Sequence, residues 1–204
     1  MSKATIFIID DDQQVRVALS LLMESVGWEV KLFSTATSFL EQFDSSIPGC
    51  IISDIRMPMM SGLDLQMKLK ERSMAPPILM ITGHGDVAMA VRAIQEGALD
   101  FIEKPFNNQY LLDRVHKAIE IDADNRETKL RVSEVNEKYN RLTDKEKEVF
   151  GLIIKGALSK QIAEEVFVTQ SAVEARRSKI MEKMNADNIS DLMKMAMTMD
   201  MINV

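Results

Sequence analysis

The sequence predicts an α/β fold, a doubly wound parallel sheet of five strands in the flavodoxin-like order 2-1-3-4-5, followed by a helical linker and an all-α unit of four short helices. Three observations predict it. Short apolar runs alternate with stretches of helical periodicity as far as residue 121, and repeated strand-helix units wind a sheet with helices on both faces. The runs are continuous rather than alternating, which marks strands buried on both sides. Beyond residue 141 the apolar residues recur only at helical spacing, between capping residues.

The first strand is Thr5-Ile6-Phe7-Ile8-Ile9, ending in Asp10-Asp11-Asp12, and Val15, Leu19, Leu22 and Val26 then recur at helical spacing on the first helix. Glu29 to Phe33 is the second strand, and a helix follows from about Thr35 to Phe43. The run Cys50-Ile51-Ile52-Ser53-Asp54, bounded by Pro48-Gly49 and Met57-Pro58, is the third strand. A helix from about Gly62 to Arg72 comes next. Pro76-Pro77 leads into Ile78-Leu79-Met80-Ile81, and Gly83-His84-Gly85-Asp86 opens a fourth helix with Val87, Val91 and Ile94 on one face and Gly97 as its stop. Phe101-Ile102-Glu103 is the fifth strand and ends in Lys104-Pro105. The fifth helix starts at Asn107 and turns Leu111, Leu112, Val115 and Ile119 to one side.

Ligands of such sheets bind outside the carboxyl ends of the strands. Asp10, Asp11, Asp54, Thr82 and Lys104 all fall there. Two unit charges about 4 Å apart repel by roughly 4 kcal/mol at an effective dielectric of 20, so this many acids call for a cation. An all-oxygen site that keeps some water suits Mg²⁺, and no Cys/His cluster argues for zinc.

The set Asp10-Asp11, Asp54, Thr82 and Lys104-Pro105 resembles the receiver domain of two-component response regulators. The resemblance implies that Asp54 takes a phosphoryl group from a sensor histidine kinase. It makes Asp11 a direct Mg²⁺ ligand, Asp10 an acid acting through water, and Arg56 a donor of its backbone carbonyl, with Asp12 peripheral. Lys104 would offer a point charge to the phosphoryl oxygens and Thr82 a hydroxyl that can donate only once the group is present. Phe101 would be the aromatic switch residue. The Lys104-Pro105 bond is often cis in the family. Taken singly, each residue is as well explained as a turn former, a helix cap or core; the joint order is what turn chemistry does not require. His84 reads as a solvated loop residue, although Gly83-His84-Gly85-Asp86 recurs in FixJ-like receivers.

The chain has 204 residues, 46% of them hydrophobic and 27% charged, enough for two modest cores. It has no apolar stretch of membrane length and no basic, apolar leader, and its only cysteine, Cys50, lies inside a strand. A cytoplasmic protein without a disulfide is expected. The net charge of −6 gives no overall pull toward nucleic acid, so any DNA contact must rest on a local patch.

The expected domains are residues 1–121, a linker over 122–141, and 142–204. The linker is rich in both charge signs; Leu130, Val132, Val135 and Tyr139 keep no heptad, so it reads as a solvated helix rather than a pairing rod. Thr143-Asp144-Lys145-Glu146 is a capping box, opening a helix with Val149, Leu152 and Ile153. Ser159, Thr169 and Ser190 are the expected caps of the three helices that follow, and a tight turn between the middle two suggests a helix-turn-helix unit.

Leu142-Thr143, Glu146, Val149, Gly156, Lys160, Ile162-Ala163, Val173, Ile180 and Lys183-Met184 resemble the LuxR-type DNA-binding domain of NarL/FixJ response regulators. With Val173, Ile180 and Met184 inward, steps of 100° turn Ser171, Ala175, Ser178 and Glu182 outward, flanked by Glu174 and Lys179. The family's base-reading positions correspond to Glu174, Ala175 and Ser178. Lys160, Arg176, Lys179 and Lys183 are candidate phosphate contacts, and Arg177 leans toward the core. The sequence departs from the family at Ala172, Arg176 and Phe167, the last where a small polar turn residue is usual.

The expectation is a transcription regulator. Phosphorylation of Asp54 would pair two subunits through the face around helix four, strand five and helix five, and the dimer would bind double-stranded promoter DNA, with RNA polymerase a further candidate partner. An aspartate-nucleophile phosphatase would use the same sheet and metal, yet it usually carries a second acid two residues after the nucleophile, where Arg56 stands here. A terminal domain that binds protein instead of DNA is the remaining alternative. At most, slow loss of its own phosphoryl group would be its catalysis.

Overall fold

The computed structural model describes residues 4–71, 75–83 and 87–202. The expected Gly83-His84-Gly85-Asp86 helix opening, with His84, falls outside these residues apart from Gly83, and so does Arg72. Strands β1 (Thr5–Ile9), β2 (Glu29–Phe33), β3 (Gly49–Asp54), β4 (Ile78–Thr82) and β5 (Asp100–Glu103) form one parallel sheet in the order β2-β1-β3-β4-β5. The helices are α1 (Gln13–Ser25), α2 (Ala36–Gln42), α3 (Gly62–Lys70), α4 (Val87–Gln95), α5 (Asn108–Asn140), α6 (Asp144–Ile154), α7 (Ser159–Glu165), α8 (Gln170–Met184) and α9 (Ile189–Thr198).

The sheet is double-sided because its side chains alternate. Phe7, Ile9, Ile51 and Met80 face a layer built from α2, α3 and α4, with Phe39, Leu65, Leu69 and Ala93. Ile6, Ile8, Cys50, Ile52, Leu79, Ile81 and Ile102 face Leu19 and Met23 of α1 and Leu111, Val115 and Ala118 of α5. Burial in this second layer pushes the Cys50 thiol above its ordinary range, so it is inert packing.

Val87, Val91 and Ile94 share one side of α4, as expected, and that side is exposed, at 81%, 48% and 47%. The small Ala93 faces the sheet instead, and lets the helix lie close to it.

The chain divides into two compact units, Met1–Arg126 and Glu127–Val204. The division falls within the expected linker, 122–141. Asp122 is buried in the first unit, where one oxygen accepts the Gly49 N–H at 2.9 Å and the Arg126 Nε at 2.7 Å. Arg126 also donates to the carbonyls of Ser45, Ser46 and Ile47 at 2.9 to 3.2 Å. At the other end Val135 and Tyr139 join the second unit's core, the Tyr139 ring 5.3 Å from that of Phe150. Leu130, between them, is exposed.

The second unit packs α6 to α9 around Phe150, Ile162, Val173, Ile180, Met184 and Leu192. The Thr143 box closes as expected: the Thr143 N–H donates to Glu146 at 2.8 Å and the Glu146 N–H to the Thr143 hydroxyl at 3.4 Å. Thr169 caps α8 through the Ala172 N–H. Two expected caps are displaced. Leu158, not Ser159, stands at the N-cap of α7, because the Gln161 side chain takes its N–H at 2.8 Å. Asn188, not Ser190, caps α9, accepting from the Asp191 N–H at 3.1 Å; asparagine caps as well as serine.

Six of these helices end in the same turn, with a left-handed residue at C′ and a bond from the next N–H to a carbonyl five residues back. The pairs are Trp28 to Met23, Ala98 to Ala93, Ala157 to Leu152, Val168 to Ala163, Ala186 to Met181 and Met201 to Ala196. The left-handed residues are Gly27, Gly97, Gly156, Phe167, Asn185 and Asp200. Five are the types that tolerate positive φ; Phe167 is not.

Candidate functional site

The parallel register brings the ends of β1, β3 and β5 together. Asp10 follows β1, Asp54 ends β3 and Lys104 follows β5. The Lys104 ammonium donates to Asp10 Oδ2 at 2.7 Å and to Asp54 Oδ1 at 3.1 Å. The other Asp10 oxygen accepts the Asp12 N–H at 2.9 Å, and the other Asp54 oxygen accepts the Arg56 N–H at 2.7 Å. Both acids are buried. Burial, with Asp10 adding to it, raises the Asp54 pKa above the ordinary carboxylate value despite the Lys104 hydrogen bond. Burial also opposes the charge on Lys104, but its bonds to Asp10 and Asp54 win and raise its pKa. The Lys104-Pro105 bond is cis.

The backbone behind Asp54 is fixed by close packing. The Ser53 hydroxyl donates to the Asp54 carbonyl at 2.9 Å. Gly62, the first residue of α3, lies so near that a Cβ there would fall 2.3 Å from the same carbonyl oxygen. The Ser61-Asp64 capping box sets α3 at that spot.

The remaining receiver-like positions fall around this pair. Asp11 is exposed at the rim, and Asp12 caps α1 through the Gln14 N–H at 2.7 Å. Thr82 is buried at the end of β4, and its carbonyl accepts the Lys104 N–H at 2.8 Å. Phe101 is half-buried against the α2–α4 layer, as is Met89. The Arg56 guanidinium is exposed and reaches the Met89 sulfur at 3.8 Å. Among the described residues no three acid, His or Cys side chains converge closely enough to hold a metal by themselves, because Lys104 lies between Asp10 and Asp54 and Asp11 stands outside. Two carboxylates with a third at the rim is a hard-oxygen set that fits Mg²⁺, which keeps several waters and takes one or two carboxylates plus phosphate.

In the second unit the helical-wheel expectation for α8 is met. Val173, Ile180 and Met184 are buried, while Ser171, Glu174, Ala175, Ser178, Lys179 and Glu182 are exposed. Lys160 is exposed on α7. Arg176 is half-buried, and Arg177 packs inward with its Nε 3.9 Å from Glu174. Lys183, expected at a phosphate, has its ammonium 2.6 Å from the buried carboxylate of Glu146, which ties α8 to the first turn of α6. That bond leads the causes that lower the Glu146 pKa.

Residues 6–116 match the family described as "Response regulator receiver domain", and residues 140–196 the family "Bacterial regulatory proteins, luxR family". The chain belongs to the NarL/FixJ response regulators. It is similar to the response regulator protein TodT of Pseudomonas putida, at 43% identity over 94% of this chain and 84% of TodT. It is also similar to the transcriptional regulatory protein FixJ of Bradyrhizobium diazoefficiens, at 35% identity over 99% and 98%. The solved structure of the response regulator StyR superposes with a TM-score of 0.85 at 38% identity, over 96% of this chain and 99% of that one. A two-component response regulator with a receiver and a LuxR-type DNA-binding domain is a transcription regulator rather than an enzyme, and its receiver implies a histidine kinase partner. No helix among its described residues is long and apolar enough to cross a membrane.

Several parts of this response regulator's sites escaped sequence reasoning. The close approach of Gly62 had one signal, the Ser61-Gly62 pair after Met57-Pro58. The Glu146–Lys183 pair had none, since 37 residues separate its members.

Proposed function

We propose that Asp54 is the phosphoacceptor of this response regulator, and that its phosphorylation pairs two subunits whose α8 helices then bind two half-sites of promoter DNA. The observation that carries this reading is the meeting of Asp54, Asp10 and Lys104 at three strand ends. An ionised Asp54 oxygen attacks phosphorus, the bond from phosphorus to the kinase histidine nitrogen breaks, and its electron pair leaves with the imidazole. Lys104 favours the ionised carboxylate beforehand and is within reach of the incoming oxygens. Asp10, Asp11, Asp54 and the Arg56 carbonyl would hold Mg²⁺, which when bound neutralises charge on the phosphoryl oxygens.

Thr82 and Phe101 are the proposed switch. Thr82 sits at the adjoining strand end, and Phe101 is neither fully packed nor fully exposed, as suits a ring with two positions. The exposed stripe Val87, Val91 and Ile94 supports α4, with β5 and α5, as the pairing face, because an apolar stripe rimmed by polar residues marks an interaction site. On α8, Ser171, Glu174, Ala175 and Ser178 are proposed to face base edges, with Lys160, Arg176 and Lys179 on phosphates. The domains under this reading are residues 1–126, the receiver, and 127–204, the DNA-binding unit with the end of α5.

Sedimentation of wild type and Asp54→Ala in Mg²⁺, with and without beryllofluoride, tests the proposal. A monomer-to-dimer shift confined to wild type is expected. An equal response of the two proteins would remove Asp54 from the switch. A gel shift that weakens steeply with salt is expected for DNA binding, and its absence would favour a protein-binding terminal domain.

A further inference from the structure

Phe167 is the left-handed C′ residue of α7 and is 94% exposed, with φ of 52°. The five equivalent turns among the described residues use Gly27, Gly97, Gly156, Asn185 and Asp200. A large aromatic side chain therefore stands in the one of these six turns that separates α7 from α8, where backbone strain and solvent both disfavour it. Its neighbours behave differently. Val166 and Val168 pack on the core, and the Val168 N–H closes the turn on the Ala163 carbonyl at 3.0 Å, so the fold does not use the ring to hold the turn.

We propose that the Phe167 ring is a DNA contact, packing on the apolar surface of the major-groove wall, a thymine methyl or the edge of a deoxyribose, beside the bases faced by α8. The inference rests on the DNA-binding reading above. Phe167 lies two residues before the Thr169 cap, and the exposed face of α8 begins at Ser171. The first turns of such a helix are the part that meets base edges, and phenylalanine is among the side chains that recognise the thymine methyl. Of the residues proposed to face base edges, Ala175 and Ser178 discriminate weakly. An apolar contact from the turn would add sequence preference at the edge of each half-site.

The test uses the full-length protein with Mg²⁺ and beryllofluoride to select duplexes from a randomised pool, then compares wild type, Phe167→Asn and Phe167→Ala on the recovered duplex. Phe167→Asn relieves the left-handed turn, so its Tm is expected to rise by about 2–4 °C while binding weakens roughly tenfold. Phe167→Ala is expected to weaken binding equally without the gain in Tm. The slope of log Kd against log salt stays unchanged in both, since no phosphate contact is lost. With uracil replacing thymine in the duplex, a loss seen in wild type but not in the variants assigns the ring to the methyl; equal losses assign it to the sugar. Wild-type affinity in both variants overturns the inference alone. A wild-type protein that recovers no duplex overturns the DNA-binding reading and this inference with it.

Discussion

The ammonium of Lys183 and the carboxylate of Glu146 lie 2.6 Å apart, joining the last turn of α8 to the first of α6. A cation so engaged positions the helix and releases few counterions from DNA. Lys183→Gln is therefore expected to lower Tm and leave the salt dependence of DNA binding unchanged. Lys179→Gln, on the exposed face, is expected to reduce the log–log salt slope by about 1 and leave Tm unaltered. A slope reduced in Lys183→Gln as much as in Lys179→Gln would return Lys183 to the phosphates.

The same pair makes a prediction about acid. The folded pKa of Glu146 is lowered, chiefly by Lys183, from an ordinary value of 4.5. A lowered carboxyl pKa contributes stability above the unfolded value, and that contribution is lost as pH falls through the folded one. Glu146→Gln is expected to cost about 1–2 kcal/mol at pH 7, from the weakened cap and ion pair together. The difference from wild type shrinks below pH 4.5. Urea denaturation of the two proteins across that range checks it.

Asp54 has the opposite sign. Burial raises its pKa above 3.8, so the folded protein holds that proton more tightly than the unfolded chain does. Its ionisation then works against stability as pH rises from 3.8 through the folded value. Asp54→Asn is expected to be at least as stable as wild type at pH 7, with the gap closing toward pH 4. Mg²⁺ at about ten times its Kd is expected to stabilise wild type by about 1.4 kcal/mol and the variant by much less. Equal stabilisation of both would move the metal away from Asp54.

Ile94→Asp places a charge in the exposed stripe of α4. Loss of the beryllofluoride-dependent dimer is expected, with a stability change within about 0.5 kcal/mol because the site is on the surface. Sedimentation and thermal melting together separate a broken interface from a broken fold.

The sequence carried the sheet and the acid pocket unusually far, because both are written locally. A strand buried on two faces is a continuous apolar run, and each pocket residue follows such a run directly. What it carried poorly was whatever depends on a distant partner. The spacing of Val87, Val91 and Ile94 marks a shared side of α4 without saying whether sheet or solvent lies beside it, and the small Ala93 took the sheet. Ser159 and Ser190 are plausible caps in isolation; Leu158 and Asn188 stand there because Gln161 and Asp191 reach back to them. Lys183 looks like any helix lysine until α6 is folded beside it.

The clamp made by Asp122 and Arg126 bears on how the receiver can be cut out of the chain. The stretch matching the receiver family ends at residue 116, yet the Gly49 amide and the carbonyls of Ser45, Ser46 and Ile47 find their partners at 122 and 126. A fragment trimmed to 116 would leave the approach to β3 frayed and open to proteases around Asp44 to Ile47, whereas one extended to 126 would keep it shut. Limited proteolysis of the two fragments, with early cleavage expected only in the shorter, would show that this receiver's working boundary lies in the helix beyond its family outline.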